Sequence, residues 1–235
     1  MELLLRLISQ NRGQDMGIDS NLSNVRVLIH SSIRIESENG TVLYSDPYDL
    51  VDETHDADIV FITHGHYDHL SPNDYVRVAK PETVIVAPAV LESEVAALHA
   101  GDMVLLNAGD TVEVCGIKVK AVPAYNVQPE RLQFHPKENK WLGYILTIDG
   151  DTYYIAGDTD QNKDNETISC DVALIPIGGT FTMDPIQAAA FINTIKPRFV
   201  VPTHYGTTVG NKEDVDVFEP LVDDSITVVR RMEWR

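Results

Sequence analysis

Thr63-His64-Gly65-His66-Tyr67-Asp68-His69 follows directly on the apolar run Ile59-Val60-Phe61-Ile62, and the reading of this stretch decides the rest. His64, His66, Asp68 and His69 are all able to bind divalent cations and fall within six positions. Imidazole and carboxylate are the N and O ligands suited to zinc, iron and manganese, and two neighbouring cations need several such groups converging on one small volume. Gly65 carries no Cβ, so the backbone can turn tightly and approach an ion closely. The plain alternative is a polar loop that happens to be rich in histidine.

Two further apolar runs end in the same way. Tyr153–Ala156 leads into Gly157-Asp158-Thr159, and Phe199–Val201 leads into Pro202-Thr203-His204. Taken singly, Asp158 reads equally well as a turn or cap and His204 as a packed histidine. Their shared place just past buried strands moves both toward metal, because ligands on rigid strand ends are preorganised on one rim of a fold.

Working outward, the 235 residues suffice for one large domain with a proper core. The formal charge of −18 makes the surface repel phosphate backbones and anionic lipid, so neither nucleic acid nor a membrane is an expected partner. An anionic small molecule stays compatible with it, since bound divalent cations reverse the local field. Cys115 and Cys170 lie outside any metal-like spacing and read as buried thiols in a reducing compartment. The opening Met1–Ser9, with Glu2 and Arg6, is a poor secretory signal and too short to span a bilayer, so a cytoplasmic location is expected. Homo-oligomerisation is open.

Residues 1–24 read as an N-terminal arm or short helix, and 25–235 as a single domain. Val25–Ile29, Ser32–Glu36 and Thr41–Tyr44 form a meander, with Asn39-Gly40 as a hairpin turn. Asp58–Thr63 is a buried strand, Ser71-Pro72-Asn73 opens a helix, and Val84–Ala87 is a strand. A short helix over Glu92–His99 precedes strands near Met103–Leu106 and Asp110–Val122. Trp141–Ile148 and Thr152–Ala156 make a hairpin, and Val172–Ile177 is a buried run. A helix over Pro185–Ile195 has Asp184 as N-cap and is followed by strands at Phe199–Pro202 and Ile226–Met232. Ile59–His64 and Phe199–His204 echo one another, both ending in Thr-His. Two β-rich halves with outer helices imply two sheets packed face to face.

The string His64-Gly65-His66-Tyr67-Asp68-His69, with Gly157-Asp158-Thr159 and Pro202-Thr203-His204-Tyr205, resembles the metallo-β-lactamase superfamily. It is most similar to the branch of metal-dependent hydrolases related to ascorbate-6-phosphate lactonase and the N-acyl-phosphatidylethanolamine phospholipase D. His30-Ser31-Ser32, Asp46-Pro47 and Ile175–Gly179 with Phe181-Thr182-Met183-Asp184 add to that likeness, which spans roughly residues 25–210. The resemblance implies an α/β fold, a four-layer αββα sandwich with two divalent ions on one rim. Zinc is the expected metal, with manganese, iron and nickel also compatible.

By position, the resemblance gives His64 and His66 to the first ion, Asp68, His69 and His204 to the second, and Asp158 as the bridge. A further histidine of the family is replaced here by Asn126, and either Asn126 or His135 completes the first site. The implied reaction is attack by a metal-bridged hydroxide on an ester, lactone or phosphodiester of a small molecule. Asp68 is the catalytic residue, orienting that water or taking its proton. Tyr205, Lys137 and His30 are candidates for substrate contact, while His55 and His99 read as surface residues. The alternatives are a non-catalytic metal-binding or sensing protein and a mononuclear-iron persulfide dioxygenase-like oxidoreductase. The di-iron redox branch usually carries an acid where this chain has His66.

Overall fold

The computed structural model describes residues 22–234. The expected N-terminal arm falls largely outside these residues. Leu22 is fully buried, and Asn24 Nδ2 donates to the Tyr153 hydroxyl at 3.3 Å, so packing begins before the first strand.

Two sheets carry the fold. The first runs in sequence order: β1 (Val25–Ile29), β2 (Ser32–Glu36), β3 (Val42–Ser45), β4 (Ala57–Phe61), β5 (Ala79–Pro88) and β6 (Asp102–Leu106). The second is ordered β13-β12-β11-β10-β9-β8-β7. Its strands are β7 (Thr111–Val114), β8 (Ile117–Pro123), β9 (Leu142–Ile148), β10 (Asp151–Ile155), β11 (Val172–Pro176), β12 (Phe199–Thr203) and β13 (Thr227–Val228). Each sheet joins an antiparallel portion to a parallel one, β3 to β6 in the first and β10 to β13 in the second. That is the physical form of the twofold echo.

The period of two along β4 shows why a continuous apolar run suits a strand covered on both faces. Ile59 and Phe61 point into the inter-sheet core and Val60 and Ile62 to the outer cluster, which Ala57 also joins because the register shifts between Ala57 and Ile59. Helices α1 (Pro72–Val78) and α2 (Glu92–Ala96) cover that outer face through Tyr75, Val78 and Val95. The second sheet is covered by α3 (Pro185–Ile195), with Tyr154 edge-on to Phe191, and α4 (Asp214–Phe218) packs on α3. The architecture is thus a mixed α/β sandwich of two sheets with thin helical layers. Between the sheets, Phe61 meets Tyr144 at 5.2 Å, and the Tyr144 hydroxyl donates to the Ile62 carbonyl at 2.7 Å. Burying side chains of this size stabilises the fold by about 1.5–3 kcal/mol each.

Several boundaries differ from the sequence reading. The segment Asp110–Val122 is a hairpin, turned at Cys115 (φ +47°) and Gly116 (φ +80°), where two successive left-handed residues match the twist of the strands. The Glu92–His99 helix stops at Ala96 after a 3-10 turn over Ala89–Leu91. The strand at Val84–Ala87 begins already at Ala79, and the closing strand shrinks to Thr227–Val228, with Met232 bridging to Val27. Cys115 is exposed rather than buried, Cys170 is half-buried, and both are free thiols. Among the described residues no helix is long and apolar enough to cross a membrane.

Candidate metal centre

Backbone turns at the strand ends bring the chemistry together. His30 after β1 (φ +53°), Asp46 after β3 (φ +47°), Gly157 after β10 (φ +63°) and His204 after β12 (φ +57°) all adopt left-handed conformations at one rim. Such conformations are uncommon for non-glycine residues and concentrate at functional sites. Gly157 has a second constraint: a Cβ there would meet Thr63 Cβ at 2.9 Å. After β4 the loop folds back on itself, with the amides of His69 and Leu70 donating to the His66 carbonyl at 3.0 and 2.8 Å. Ser71 then caps α1.

Among the described residues two separate groups of donors result, and a third, His64, His69 and Asp158, joins them. In the first, one ligand atom each from His64, His66 and His135 lies within 4.8 Å of the others. His64 Nε2 and His66 Nδ1 are 3.0 Å apart. In the second, His30, Asp68, His69 and His204 meet the same criterion. Asp158 stands between the two. Its Oδ2 is 3.2 Å from His135 Nε2, 3.1 Å from His204 Nε2 and 3.9 Å from His64 Nε2, and its Oδ1 is 3.4 Å from His69 Nε2. These residues are buried, except for the half-buried His66, and come from both sheets.

The far nitrogens of three imidazoles are fixed by a carboxylate, a hydroxyl and a carbonyl. Asp46, fully buried, accepts from the Thr63 amide (2.8 Å), the Thr63 hydroxyl (2.6 Å) and His69 Nδ1 (2.8 Å). With its proton given to Asp46, the Thr63 oxygen accepts from His64 Nδ1 at 3.0 Å. Both assignments leave Nε2 of His64 and His69 as the free lone pair, the tautomers following from the network. His135 Nδ1 donates to the Phe181 carbonyl at 3.2 Å, which turns its Nε2 toward Asp158. Such outer partners orient ligating imidazoles and raise their basicity.

Charge and burial act in opposition here. Burial, reinforced by His69, pushes His64 well below the usual imidazole range, so it is neutral and available to ligate. Burial opposes protonation of His69 as well, but the carboxylates of Asp158 and Asp46 outweigh it and raise the ring to about 9. Desolvation would raise Asp158, yet His204 and His69 hold its carboxyl well below the ordinary range. Asp68 is likewise drawn against desolvation to about 2, chiefly by the hydrogen bond from His30. A divalent cation takes the place of the protons such a cluster would otherwise retain.

The donor set fits a metal. Buried Nε2 atoms of His69, His135 and His204, with Asp158 Oδ1, have no hydrogen-bond partner of acceptable geometry. Buried polar atoms are rarely left unpaired, and four converging on one spot are accounted for by a cation.

All eight residues expected from sequence as metal ligands lie at this rim, with different surroundings. Asn126 uses its amide group structurally: Nδ2 donates to the carbonyls of Arg131 (3.0 Å) and Phe181 (2.7 Å). His30, read as a substrate contact, belongs to the second donor group. Its Nε2 is 3.2 Å from Asp68 Oδ2, its Nδ1 is 3.1 Å from the Thr207 hydroxyl, and its ring lies 3.9 Å from that of His204. Tyr205 is buried edge-on to Trp234, a packing role. Lys137 pairs with Asp164 at 2.5 Å, and His55 and His99 are exposed. Trp141, unremarked in the sequence, packs against His64 and His66 at 4.9 and 4.8 Å. Its position just before β9 offers no local signal.

Residues 24–204 match the family described as Beta-lactamase superfamily domain. A UPF0173 metal-dependent hydrolase of Thermococcus onnurineus is 36% identical over 181 residues, covering 74% of this chain and 78% of the relative. Another, from Thermococcus kodakarensis, is 33% identical over 219 residues, covering 87% and 94%. A crystal structure from Parabacteroides distasonis shares 33% identity at a TM-score of 0.74, covering 88% of this chain and 91% of that one. The chain belongs to the beta-lactamase superfamily and, within it, to the UPF0173 metal-dependent hydrolases.

Proposed function

We propose that this protein hydrolyses an ester, lactone or phosphodiester bond of a small molecule with two divalent ions, zinc in the first instance. His64, His66 and His135 would hold one ion and Asp68, His69 and His204 the other, with Asp158 within reach of both groups. One observation carries the reading: the Asp158 carboxylate reaches the Nε2 atoms of four histidines, from both donor groups, at 3.1–3.9 Å. A carboxylate so placed is suited to bridging.

Bound divalent cations polarise the scissile group's oxygen and make water nucleophilic near neutral pH. Asp68, ionised and oriented by His30 Nε2, takes the proton released as the water oxygen bonds to the carbonyl carbon or phosphorus. That proton then passes to the departing oxygen as its bond breaks. Asp46 and Phe181 hold the imidazoles still through these steps, which is where preorganisation enters the rate.

The test is turnover of lactones, carboxylic esters and phosphodiesters by protein stripped with a chelator and then reloaded with zinc. Turnover restored by metal and lost in His66→Ala supports the reading. A protein with two ions bound and no turnover on any of these classes would be a metal-binding protein without catalysis, and the proposal would fail.

A further inference from the structure

Beside the metal centre, Arg131 and Asp160 form an ion pair in which both side chains are buried. Burying such a pair is a poor source of stability, and its best-attested use is to fix one arrangement over others. The question is what it fixes.

Asp160 Oδ2 accepts the amides of Val127 and Gln128 at 2.9 and 3.0 Å, and Oδ1 accepts Arg131 Nε at 2.7 Å. This gathers residues 127–131 around one carboxylate. The Arg131 carbonyl accepts Asn126 Nδ2 at 3.0 Å, and the Asn126 amide donates to the His135 carbonyl at 2.8 Å. On its other side Arg131 Nη2 donates to Gln187 Oε1 at 2.7 Å. Gln187 in turn closes the capping box of α3, its Oε1 accepting the Asp184 amide at 3.2 Å. The segment before α3 supplies the Phe181 carbonyl that accepts both Asn126 Nδ2 and His135 Nδ1.

We infer that the buried Arg131–Asp160 pair is a positioning element that sets His135 in the first donor group by locking loop 126–135 to the start of α3. The inference rests on the proposed two-ion site. His135 is the one member of its group borne on an irregular loop rather than at the end of β4, so its placement depends on what holds that loop. Arg131 suits the task because its planar fork serves Asp160 and Gln187 at once in a fixed geometry that a lysine ammonium does not impose.

The experiment is a zinc titration of wild type, Arg131→Met and Gln187→Ala, read by calorimetry, with circular dichroism and thermal unfolding alongside. The wild type is expected to bind two ions. In Arg131→Met one ion should weaken roughly 10–100-fold, the usual effect of removing an outer-shell partner, while the other keeps its affinity. Gln187→Ala leaves the ion pair intact and should weaken the same ion by less, with the folded spectrum retained. Two ions at wild-type affinity in both variants would overturn the inference. Equal weakening of both ions would also overturn it, pointing to general loss of structure. A wild type that binds fewer than two ions would instead strike the proposed function itself.

Discussion

His135 Nε2 lies 3.2 Å from Asp158 Oδ2, although one residue sits on an irregular loop and the other on the turn after β10. His135 Nδ1 is engaged by the Phe181 carbonyl, so the nitrogen that faces Asp158 is the one left for a cation. On the proposed function this relationship makes His135 the ligand and Asn126, whose Oδ1 is also buried without a hydrogen-bond partner, the supporting residue.

His135→Ala should therefore abolish binding of one ion, and Asn126→Ala should weaken that same ion while leaving the stoichiometry at two. Titration with zinc against a chromophoric chelator separates the outcomes. Loss of an ion in Asn126→Ala with retention in His135→Ala would reverse the two roles.

How much of this was legible follows from where the signal sits. The His64–His69 string and the Asp184-Pro185 start of α3 are local, with type and spacing compressed into a few residues, so both are readable directly. Asp46 and His30 are single polar residues at the ends of separate strands, and only the closing of the first sheet brings them to the site. Asn126 and His135 occupy a loop without periodicity, where neither residue type nor spacing says which faces inward. The Cys115-Gly116 turn had a signal, glycine inside an alternating run, and that would have divided Asp110–Val122 into two strands.

Asp46 serves both donor groups, through Thr63 to His64 and directly to His69. Asp46→Asn keeps the shape of the side chain but not its capacity to accept three donors. Both ions should weaken, each by roughly 10–100-fold, in contrast to the one-ion effect expected at Arg131. A calorimetric titration showing one ion untouched would separate Asp46 from that ion.

Gly157→Ala should destabilise the fold by about 1–3 kcal/mol, since the added methyl overlaps Thr63 and the left-handed backbone is strained for alanine. Urea unfolding measures it. Stability within error of wild type would show that the β10 end relaxes freely and that the close approach to β4 is not required.

Away from the site, Asp56 accepts from Arg34 Nη2 and from the Tyr44 hydroxyl, each at 2.9 Å. Desolvation would raise its carboxyl, but the hydrogen bonds from Arg34, Thr54 and Tyr44 outweigh that and lower it. A carboxyl lowered by folding adds stability that is complete above its unfolded value of about 4 and is lost as pH falls through the folded one. The stability difference between wild type and Asp56→Asn should thus hold steady from neutrality to about pH 5 and shrink in stronger acid. Unfolding curves that stay parallel throughout the acid range would contradict this.

The most direct test of the central claim is a crystal structure of zinc-loaded protein with the ions located by anomalous scattering. Two peaks are predicted, one among His64, His66 and His135 and one among Asp68, His69 and His204, with the Asp158 carboxylate touching both. A single ion, or a second ion that Asp158 does not reach, would contradict the account.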